Sequence, residues 1–476
     1  MAELLTPDIC VIGAGSGGLS VAAGAAAFGV PVVLIERDKM GGDCLNSGCV
    51  PSKALLAAAK RAHALADAPR FGIKPQRTKI DFLDAHAHVE SAIRAIAPND
   101  SKERFAGLGV QVIAGTAQFR DRRTVTVGER IEIRARRFVI ATGSRPAVPA
   151  IPGLADCPYL TNETIFDLTQ CPKHLLIIGA GPVGLEMAQA HRRLGAEVTV
   201  LEAAQPFPRS DPECAAVVLD QLAREGIAIR SGVKIARIER ARPRVRVVLA
   251  GVTGEEIIEG SHLLIAAGRK PNIEDLNLEA AGIAYETHGI RVNRRLKTTN
   301  RKVYAIGDVV LGGLQFTHVA NYHAGLVLRN ALFRLPVDAN GGVIPQVVYT
   351  DPELAQVGLG EDEARKKHAA IRVLRWPYAE NDRAQTEGET EGHIKLVTDK
   401  RGRILGATIV GPEAGELITL WTLAIAQKLT VRAFLDTVFP YPTRGEIGKR
   451  AAVSFYTPRL TAPWTRRIID LLRRFG

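Results

Sequence analysis

Two stretches of the chain carry the same order of apolar and small residues. In each, a short apolar run, ICVI at 9–12 or LLII at 175–178, leads into a glycine turn, a segment rich in small residues, and a second apolar run, VVLI at 32–35 or VTVL at 198–201. A continuous apolar run bounded by glycines is typical of a buried strand, and the longer segment after the turn is typical of a helix. The pattern therefore predicts two strand-turn-helix-strand units and an α/β fold.

Both predicted turns have the spacing G-x-G-x-x-G, and an acidic residue ends each second strand. The glycines are Gly13, Gly15 and Gly18 in the first unit and Gly179, Gly181 and Gly184 in the second, and the acids are Glu36 and Glu202. At this spacing the glycines permit a tight turn, close approach of a pyrophosphate and close packing of helix on strand. The phosphate then meets a helix N-terminus, and the carboxylate accepts hydrogen bonds from a ribose. We therefore expect two dinucleotide sites.

The residues after Glu202 bear on which nicotinamide cofactor binds at the second site. Ala203 and Ala204 stand where an arginine would receive a 2′-phosphate, so NADH is favoured over NADPH. Arg209 is close enough in the sequence to keep NADPH as the less favoured alternative.

Two cysteines lie five positions apart in GGDCLNSGCVPSK, residues 41–53. Residues five apart on a regular helix point about 140° apart, so Cys44 and Cys49 cannot be bonded on one helix face, and we expect at least one of them in a loop. Pro51 favours the start of a helix there, which places Cys49 near a helix N-terminus that lowers a thiol pKa. Lys53 adds positive charge one turn later. A redox or catalytic pair is favoured, with a structural disulfide or a metal site as alternatives.

Composition bounds the class of protein. The 476 residues suffice for two or three domains, and the net charge of +12 comes from basic residues spread along the whole chain, so nucleic acid is not an expected partner. No run of eighteen apolar residues occurs, and the first residues lack the pattern of a signal peptide, so we expect none. We expect a cytoplasmic protein without a metal site.

These motifs together resemble the flavin-containing pyridine nucleotide-disulfide oxidoreductases of class I, which include dihydrolipoamide dehydrogenase and mercuric reductase. Three further segments carry the resemblance: FVIATGSRPAVPAIPG at 138–153, LLIAAGRKPN at 263–272 and VYAIGDVV at 303–310. The resemblance implies a homodimer with two Rossmann-like domains and a C-terminal α+β interface domain. It assigns residues 1–150, completed by 270–340, to FAD, residues 151–269 to the nicotinamide cofactor, and residues 341–476 to dimerisation.

The resemblance also implies roles for single residues. Two electrons pass from NADH through FAD to the disulfide of Cys44 and Cys49, and then to an acceptor. Cys49 is the sulfur next to the flavin, and Cys44 is the more exposed sulfur that meets the substrate. Lys53 pairs with Glu186 near the flavin. The remaining cofactor contacts are Gly42, Thr142, Gly143 and Asp308 for FAD and Gly268 for the nicotinamide cofactor.

The family's His-Pro-x-x-x-Glu motif is changed in this chain, which reads YPTRGE from Tyr441 to Glu446. The histidine acts as acid and base for the thiols, whereas a phenol with a reference pKa near 10 cannot do so near neutrality. Tyrosine at this place is similar to mercuric reductase, yet no cysteine follows Cys214 to pass on a metal. The acceptor therefore stays open between a small-molecule or protein disulfide, a metal ion and a quinone. The alternatives are a quinone or metal-ion reductase that bypasses the disulfide, and a redox sensor with low turnover.

The last residues predict an amphipathic helix over 464–475. Its apolar arc is Trp464, Ile468, Ile469, Leu471, Leu472 and Phe475, and its polar arc is Arg466, Arg467, Asp470, Arg473 and Arg474. Such a helix either packs on its own dimer or lies on an anionic membrane surface, here the inner face of the cell membrane.

Overall fold

The chain folds into two compact units in a computed structural model that describes residues 3–74, 79–251, 254–460 and 462–475. The larger unit comprises Met1–Pro206 and Ala228–Gly342, and the smaller comprises Phe207–Ile227 and Val343–Gly476. The fold is α/β, as predicted. The predicted division of the larger unit into a flavin domain and a nicotinamide domain stays a prediction.

The first parallel sheet of the larger unit has five strands and contains the two predicted buried strands at 9–12 and 32–35. Its order is Val303–Ala305, Arg137–Ile140, Ile9–Ile12, Val32–Glu36 and Val110–Ala114. All four residues of Ile9–Ile12 are buried, because the sheet is covered on both faces. The glycine turn after Ile12 leads into the helix Ser16–Ala27 at the carboxyl edge of the strands, where ligands of such sheets bind.

The second parallel sheet repeats this arrangement with the order Ala228–Ser231, Glu197–Glu202, His174–Ile178 and His262–Ile265. The helix Pro182–Arg193 comes after the second glycine turn, with proline in its first turn where no backbone N–H is needed. The sequence predicted the strands at 175–178 and 198–201 and the helix between them, but not the two outer strands of this sheet.

Smaller elements complete the larger unit. Antiparallel strands form a sheet of Lys234–Ala241, Arg244–Gly251 and Gly254–Gly260, and two ribbons pair Ser144–Pro146 with Arg269–Pro271 and Tyr285–Glu286 with Gly289–Ile290. A further sheet has the order Glu3–Leu5, Ile131–Ile133, Val125–Val127 and Ala117–Phe119. The other α-helices are Gly42–Asn46, Cys49–Asp67, Phe82–Ile96, Lys102–Gly107 and Thr317–Phe333, and the 3-10 helices are Ala68–Phe71, Ala97–Asp100, Leu154–Asp156, Ile165–Asp167, Gly307–Val309 and Ala339–Gly341.

The smaller unit packs helices on an antiparallel sheet, the α+β arrangement expected for the C-terminal part. The strand order is Gln346–Val348, Glu353–Gly358, Ile404–Gly411, His393–Asp399 and Ile371–Pro377. Its core includes Trp421, whose ring stacks on Phe434 with centroids 4.4 Å apart. The helices are Pro212–Arg224, Glu361–Lys367, Asp382–Glu387, Ala414–Ala426, Arg432–Leu435, Glu446–Ser454, Thr457–Leu460 and Pro463–Leu472, with a 3-10 helix at Tyr378–Glu380.

The C-terminal helix is shorter than predicted. It spans Pro463–Leu472, so Arg473, Arg474 and Phe475 lie beyond its end. The predicted apolar arc, from Trp464 to Phe475, is exposed in the chain on its own. Among the described residues, none of the helices combines the length and apolar character needed to cross a bilayer.

Candidate active site

The first glycine turn has the shape that the sequence predicted. Gly13 has φ of +101°, a conformation that disfavours a side chain, and a Cβ there would lie 2.5 Å from the Ala141 carbonyl oxygen. A Cβ at Gly18 would overlap the carbonyl oxygen of Gly13, which shows how closely helix and strand approach. In front of Gly15 a Cβ would meet nothing within 4 Å. The first and third glycines therefore serve the fold, and the middle one leaves an open approach to the backbone.

Glu36 closes this turn from the next strand. Its carboxylate accepts hydrogen bonds from the backbone N–H of Ala14 at 2.6 Å and of Asp38 at 2.8 Å. The cysteine segment begins beside the turn, since a Cβ at Gly42 would lie 2.8 Å from Gly15 Cα. The structure thus brings Gly42 to the first turn.

Thr142, Gly143 and Asp308 lie at the carboxyl ends of two strands of the first sheet. The Thr142 hydroxyl donates to the Asn272 carbonyl at 2.7 Å, and nothing within 4 Å would meet a Cβ at Gly143. The Ser144 hydroxyl donates to Asp308 at 2.6 Å. Burial raises the pKa of Asp308, partly offset by that hydrogen bond.

The second glycine turn repeats the first. A Cβ at Gly179 or Gly184 would overlap a backbone carbonyl oxygen, that of Ala266 or of Gly179, whereas Gly181 faces open space. The Glu202 carboxylate accepts from Ala180 N–H at 2.8 Å and from Ala204 N–H at 2.9 Å. Gly268 also has nothing within 4 Å of a Cβ position.

Both turns fit the pyrophosphate of a dinucleotide. Each presents the start of a helix with free N–H groups to an open approach in front of its middle glycine. Each also places a carboxylate at the end of the neighbouring strand, where a ribose is bound in such folds.

The two cysteines occupy two different helices. Cys44 lies in the short helix Gly42–Asn46, and Cys49 is the first residue of Cys49–Asp67, with Ser47 and Gly48 between them. The expectation that one cysteine lies in a loop was wrong, because a break of two residues is enough to reorient the chain between two helices. In the chain on its own Cys49 is exposed and Cys44 half-buried. The assignment of Cys44 as the more exposed sulfur concerns the flavin-loaded enzyme and stays a prediction.

The surroundings of the cysteine pair shift the pKa values of the two thiols in opposite directions. A hydrogen bond from Cys44, together with the Thr317 hydroxyl and the Lys53 charge, outweighs burial and lowers the pKa of Cys49 to about 6. The same mutual hydrogen bond and burial raise the pKa of Cys44 far above its usual value. Cys49 is therefore a thiolate and Cys44 a thiol near neutrality when the pair is reduced.

Lys53 and Glu186 meet as the resemblance implied. The Lys53 ammonium lies 2.8 Å from the Glu186 carboxylate, which is buried in the helix Pro182–Arg193. This pair connects the helix that starts at Cys49 to the helix that starts at the second glycine turn.

Five side chains around the cysteines were missed from the sequence. Thr317 Oγ1 lies 3.4 Å from Cys49 Sγ, and Asp43 is contacted by Ser47, Asn162 and Arg269. The only signal available was that Asp43 adjoins Cys44, since the partners Asn162, Arg269 and Thr317 are far away in the sequence.

Tyr441 and Glu446 lie in the smaller unit. The Tyr441 hydroxyl is exposed and donates to the Asp382 carboxylate at 2.7 Å, a bond that raises the pKa of the phenol. Glu446 begins the helix Glu446–Ser454, where its charge favours the helix N-terminus.

Fold and site together define a redox enzyme with two dinucleotide sites and a cysteine pair. The family model described as pyridine nucleotide-disulphide oxidoreductase matches residues 7–324, and that of the family's dimerisation domain matches residues 344–452. The chain belongs to this family, so it is an FAD-dependent oxidoreductase that uses NAD(P)H. The presence of the dimerisation domain supports a homodimer.

The chain is similar to proteins of several named activities. Mercuric reductase of Lysinibacillus sphaericus is 36% identical over 451 residues, which cover 94% of this chain and 82% of that protein. Dihydrolipoyl dehydrogenase of Thermus scotoductus is 38% identical over 460 residues, 93% of this chain and 95% of that protein. The solved structure of the HOCl-induced flavoprotein disulfide reductase RclA from Escherichia coli aligns with a TM-score of 0.85 at 30% identity, covering 94% of this chain and 99% of that one.

Proposed function

We propose that the enzyme transfers two electrons from NADH to its acceptor through Cys44 and Cys49. The observation that carries this proposal is the pair itself: two neighbouring thiols on separate helices, with the pKa of Cys49 lowered to about 6. The residues that would hold FAD are Gly13, Gly15, Gly18, Glu36, Gly42, Thr142, Gly143 and Asp308. Bound FAD supplies the relay of two electrons between a nicotinamide and a disulfide.

The chain's own groups keep the reduced pair ready for an acceptor. Lys53 and the helix N-terminus stabilise the negative charge on Cys49, while Cys44 keeps its proton and is the sulfur offered to the acceptor. Glu186 holds the Lys53 ammonium in position from the nucleotide helix.

We propose a thiophilic metal ion as acceptor in preference to a disulfide. Delivery of a proton to a leaving thiol needs an acid that is replenished near neutrality, and Tyr441 is a phenol whose pKa is raised by Asp382. A thiophilic metal ion needs no such acid, because its binding displaces the Cys44 proton into solvent and leaves both sulfurs as thiolate ligands. The similarity to mercuric reductase of L. sphaericus supports this choice.

Anaerobic NADH oxidation against a panel of acceptors tests both the role of the cysteine pair and the choice of acceptor. The panel is lipoamide, glutathione disulfide, thiol-complexed Hg(II) and a short-chain quinone. We expect Hg(II) to respond most strongly and Cys44→Ser to abolish that response, whereas Cys171→Ser, a matched change at a half-buried cysteine outside the site, leaves it intact. Persistent turnover in Cys44→Ser would mean that the cysteines are bypassed. Fast lipoamide turnover by the wild type would overturn the choice of acceptor.

Tyr441→His sharpens the acceptor assignment. The change restores an imidazole with a pKa near neutrality at this place. We expect disulfide turnover to rise at least about tenfold while Hg(II) turnover changes little. No rise with lipoamide or glutathione disulfide would contradict a proton-transfer role for this position.

We propose NADH as the preferred electron donor because Glu202 is followed by two alanines. A carboxylate here accepts hydrogen bonds from the ribose hydroxyls and repels a 2′-phosphate. We expect Glu202→Ala to reduce the ratio of kcat/KM for NADH over NADPH by about tenfold, while Glu36→Ala leaves that ratio unchanged and lowers flavin content. An unchanged ratio in Glu202→Ala would overturn this preference.

We propose that the C-terminal helix makes a peripheral contact with an anionic membrane surface. Its apolar side chains are exposed, from Ile468 at 47% to Leu472 at 61%, and arginines flank them. An apolar arc bordered by arginines is complementary to anionic headgroups above an acyl layer.

Co-sedimentation with vesicles tests this contact. We expect the wild type to bind vesicles containing phosphatidylglycerol but not pure phosphatidylcholine, and Ile468→Ser with Leu472→Ser to abolish binding. Leu83→Ser, a change at an exposed leucine of another helix, serves as control. If the double variant instead splits the dimer in sedimentation analysis, the apolar arc covers a second copy of the chain.

A further inference from the structure

The Asp43 carboxylate is the centre of a hydrogen-bond cluster at the break between the two cysteine helices. Its Oδ1 accepts from the Ser47 hydroxyl at 3.0 Å and from the Asn162 amide at 2.9 Å. The Asp43 carbonyl oxygen also accepts from Ser47 N–H at 2.9 Å. Asn162 donates in addition to the Ser47 carbonyl at 3.0 Å, so the two-residue break is tied at both ends.

The second oxygen of this carboxylate is paired with a cation. Asp43 Oδ2 lies 3.1 Å from Nη2 of Arg269, a side chain that is mostly buried. Arg269 in turn donates to the Ser144 hydroxyl at 2.7 Å and to the Ser144 carbonyl at 3.0 Å. Ser144 donates to Asp308, so the break between the cysteines is connected to the carboxyl edge of the first sheet.

Gly48 packs so closely against this cluster that it leaves no room for a side chain. A Cβ at Gly48 would lie 2.9 Å from the Asp43 carbonyl oxygen and 3.0 Å from its Oδ2. The short distance shows that the residue immediately before Cys49 packs directly on Asp43. Asp43 therefore adjoins Cys44 in the sequence and also contacts Gly48, the residue that precedes Cys49.

We propose that Asp43 is a positioning residue for the cysteine pair: its carboxylate fixes the Ser47–Gly48 break and holds, balanced by Arg269, a negative charge beside the two sulfurs. This inference rests on the proposed redox function of Cys44 and Cys49. Its consequence is that the ion pair of Asp43 with Arg269 adjusts the stabilisation of the Cys49 thiolate, in addition to the larger contributions of Cys44, Thr317 and Lys53.

The signs of the surrounding charges make the inference specific. The Asp43 charge raises the pKa of both thiols, while the Lys53 charge and the Thr317 hydroxyl lower that of Cys49. The charged and titratable groups linked to the pair by these contacts are Asp43, Cys44, Cys49, Lys53, Glu186, Arg269 and Asp308. Removing the negative member of the Asp43–Arg269 pair must therefore favour the thiolate, and removing the positive member must disfavour it.

The experiment measures the Cys49 pKa in the reduced, flavin-loaded enzyme from the pH dependence of alkylation by iodoacetamide, with the alkylated residue identified by mass spectrometry. In Asp43→Asn the amide oxygen can still accept from Ser47 and Asn162, so mainly the charge is lost. We expect the pKa of Cys49 to fall by about half a unit to one unit in Asp43→Asn, to rise similarly in Arg269→Gln, and to return towards the wild-type value in the double variant.

Asp84→Asn, the same change at an exposed aspartate of the helix Phe82–Ile96, is the matched control and should leave the Cys49 pKa unchanged. If Asp43→Asn shifts the pKa no more than Asp84→Asn does, or if both members of the pair shift it in the same direction, the proposal is overturned. Flavin content is measured in parallel, and should Arg269→Gln lose flavin, the comparison of Asp43→Asn with Asp84→Asn decides alone. The assay needs no acceptor, so its outcome is independent of the acceptor panel.

Discussion

The two glycine turns of the larger unit are nearly identical in geometry but differ in the segments that come after them. In both, the first and third glycines abut backbone carbonyls, and the acid of the next strand accepts from the amide after the first glycine, at 2.6 Å for Glu36 and 2.8 Å for Glu202. After Glu36 the chain returns to the turn with Gly42 and then presents Cys44 and Cys49, whereas after Glu202 the next cysteine is the buried Cys214. The comparison teaches that the same glycine turn can bind either dinucleotide and that the segment after the turn determines the chemistry.

The largest effect is expected where a methyl group would break either turn. Gly18→Ala and Gly184→Ala each force a Cβ into a backbone carbonyl, a cost of about 3 kcal/mol or more. We expect Gly18→Ala to lose bound flavin and Gly184→Ala to keep it but lose reduction by NADH. Flavin absorbance and single-turnover reduction measure the two outcomes.

Gly325→Ala is the control for both turns, because it is an exposed helical glycine with nothing within 4 Å of a Cβ position. We expect it to be neutral or slightly stabilising. Equal loss of flavin in Gly18→Ala and Gly184→Ala would mean that the two turns do not serve separate ligands.

The pH dependence of thiol alkylation distinguishes Cys49, in the segment after the first turn, from a cysteine with an ordinary pKa. Because the pKa of Cys49 is lowered, its thiolate is present above about pH 6 and is lost as the pH falls below that value. Alkylation of the reduced enzyme should therefore increase about tenfold per pH unit below pH 6 and level off above it.

Cys49→Ser should remove this low-pH phase, and the buried Cys10 and Cys214, whose pKa values are raised by burial, should not contribute to it. A single inflection near the ordinary thiol pKa of about 8.5 would contradict the lowered value.

Breaking the ion pair of Lys53 with Glu186, which joins the helix Cys49–Asp67 to the helix Pro182–Arg193, should have a moderate effect on stability. Lys53→Gln removes the cation 2.8 Å from the buried Glu186 carboxylate. Since Lys53 is itself 37% exposed, we expect a loss of about 1–2 kcal/mol, less than for a fully buried pair, seen as a lower thermal midpoint of the flavin-loaded protein.

Lys367→Gln gives the reference for this measurement. Lys367 pairs with Glu363 one helical turn away, and both side chains are more than half exposed. We expect a change below about 0.5 kcal/mol. If Lys53→Gln costs no more than Lys367→Gln, the contact between the two helices contributes little to the fold.

The smallest effect on stability is expected at the middle glycines. Gly15→Ala and Gly181→Ala place a methyl group in open space, so the free energy of unfolding should change by less than about 0.5 kcal/mol. The methyl group nevertheless occupies the approach to the backbone, and we expect the affinity for FAD or NADH, respectively, to fall about tenfold. Unchanged affinity in both variants, measured by calorimetric titration, would remove the middle glycines from the binding surface.

The strands and helices around both glycine turns could be predicted from the order of residues close together in the sequence. The strands, the glycine turns and the helix that starts at Cys49 can each be inferred from residues within about twenty positions of one another, because buried strands and helix starts have short-range signatures. The short helix that holds Cys44 was missed because five residues are too few to show a period. The end of the C-terminal helix was placed three residues too late, since helix ends fray and carry weak signals.

The sequence by itself determined the fold class, the two dinucleotide turns with their acids, and the cysteine pair as the centre of the chemistry, because each is written in neighbouring residues. Only the tertiary structure decided which groups surround that pair. Thr317 reaches Cys49 across 268 positions of the chain, and Lys53 meets Glu186 across 133. The charges and hydrogen bonds that separate the two thiol pKa values therefore come from elements distant in sequence, and no local periodicity encodes such contacts.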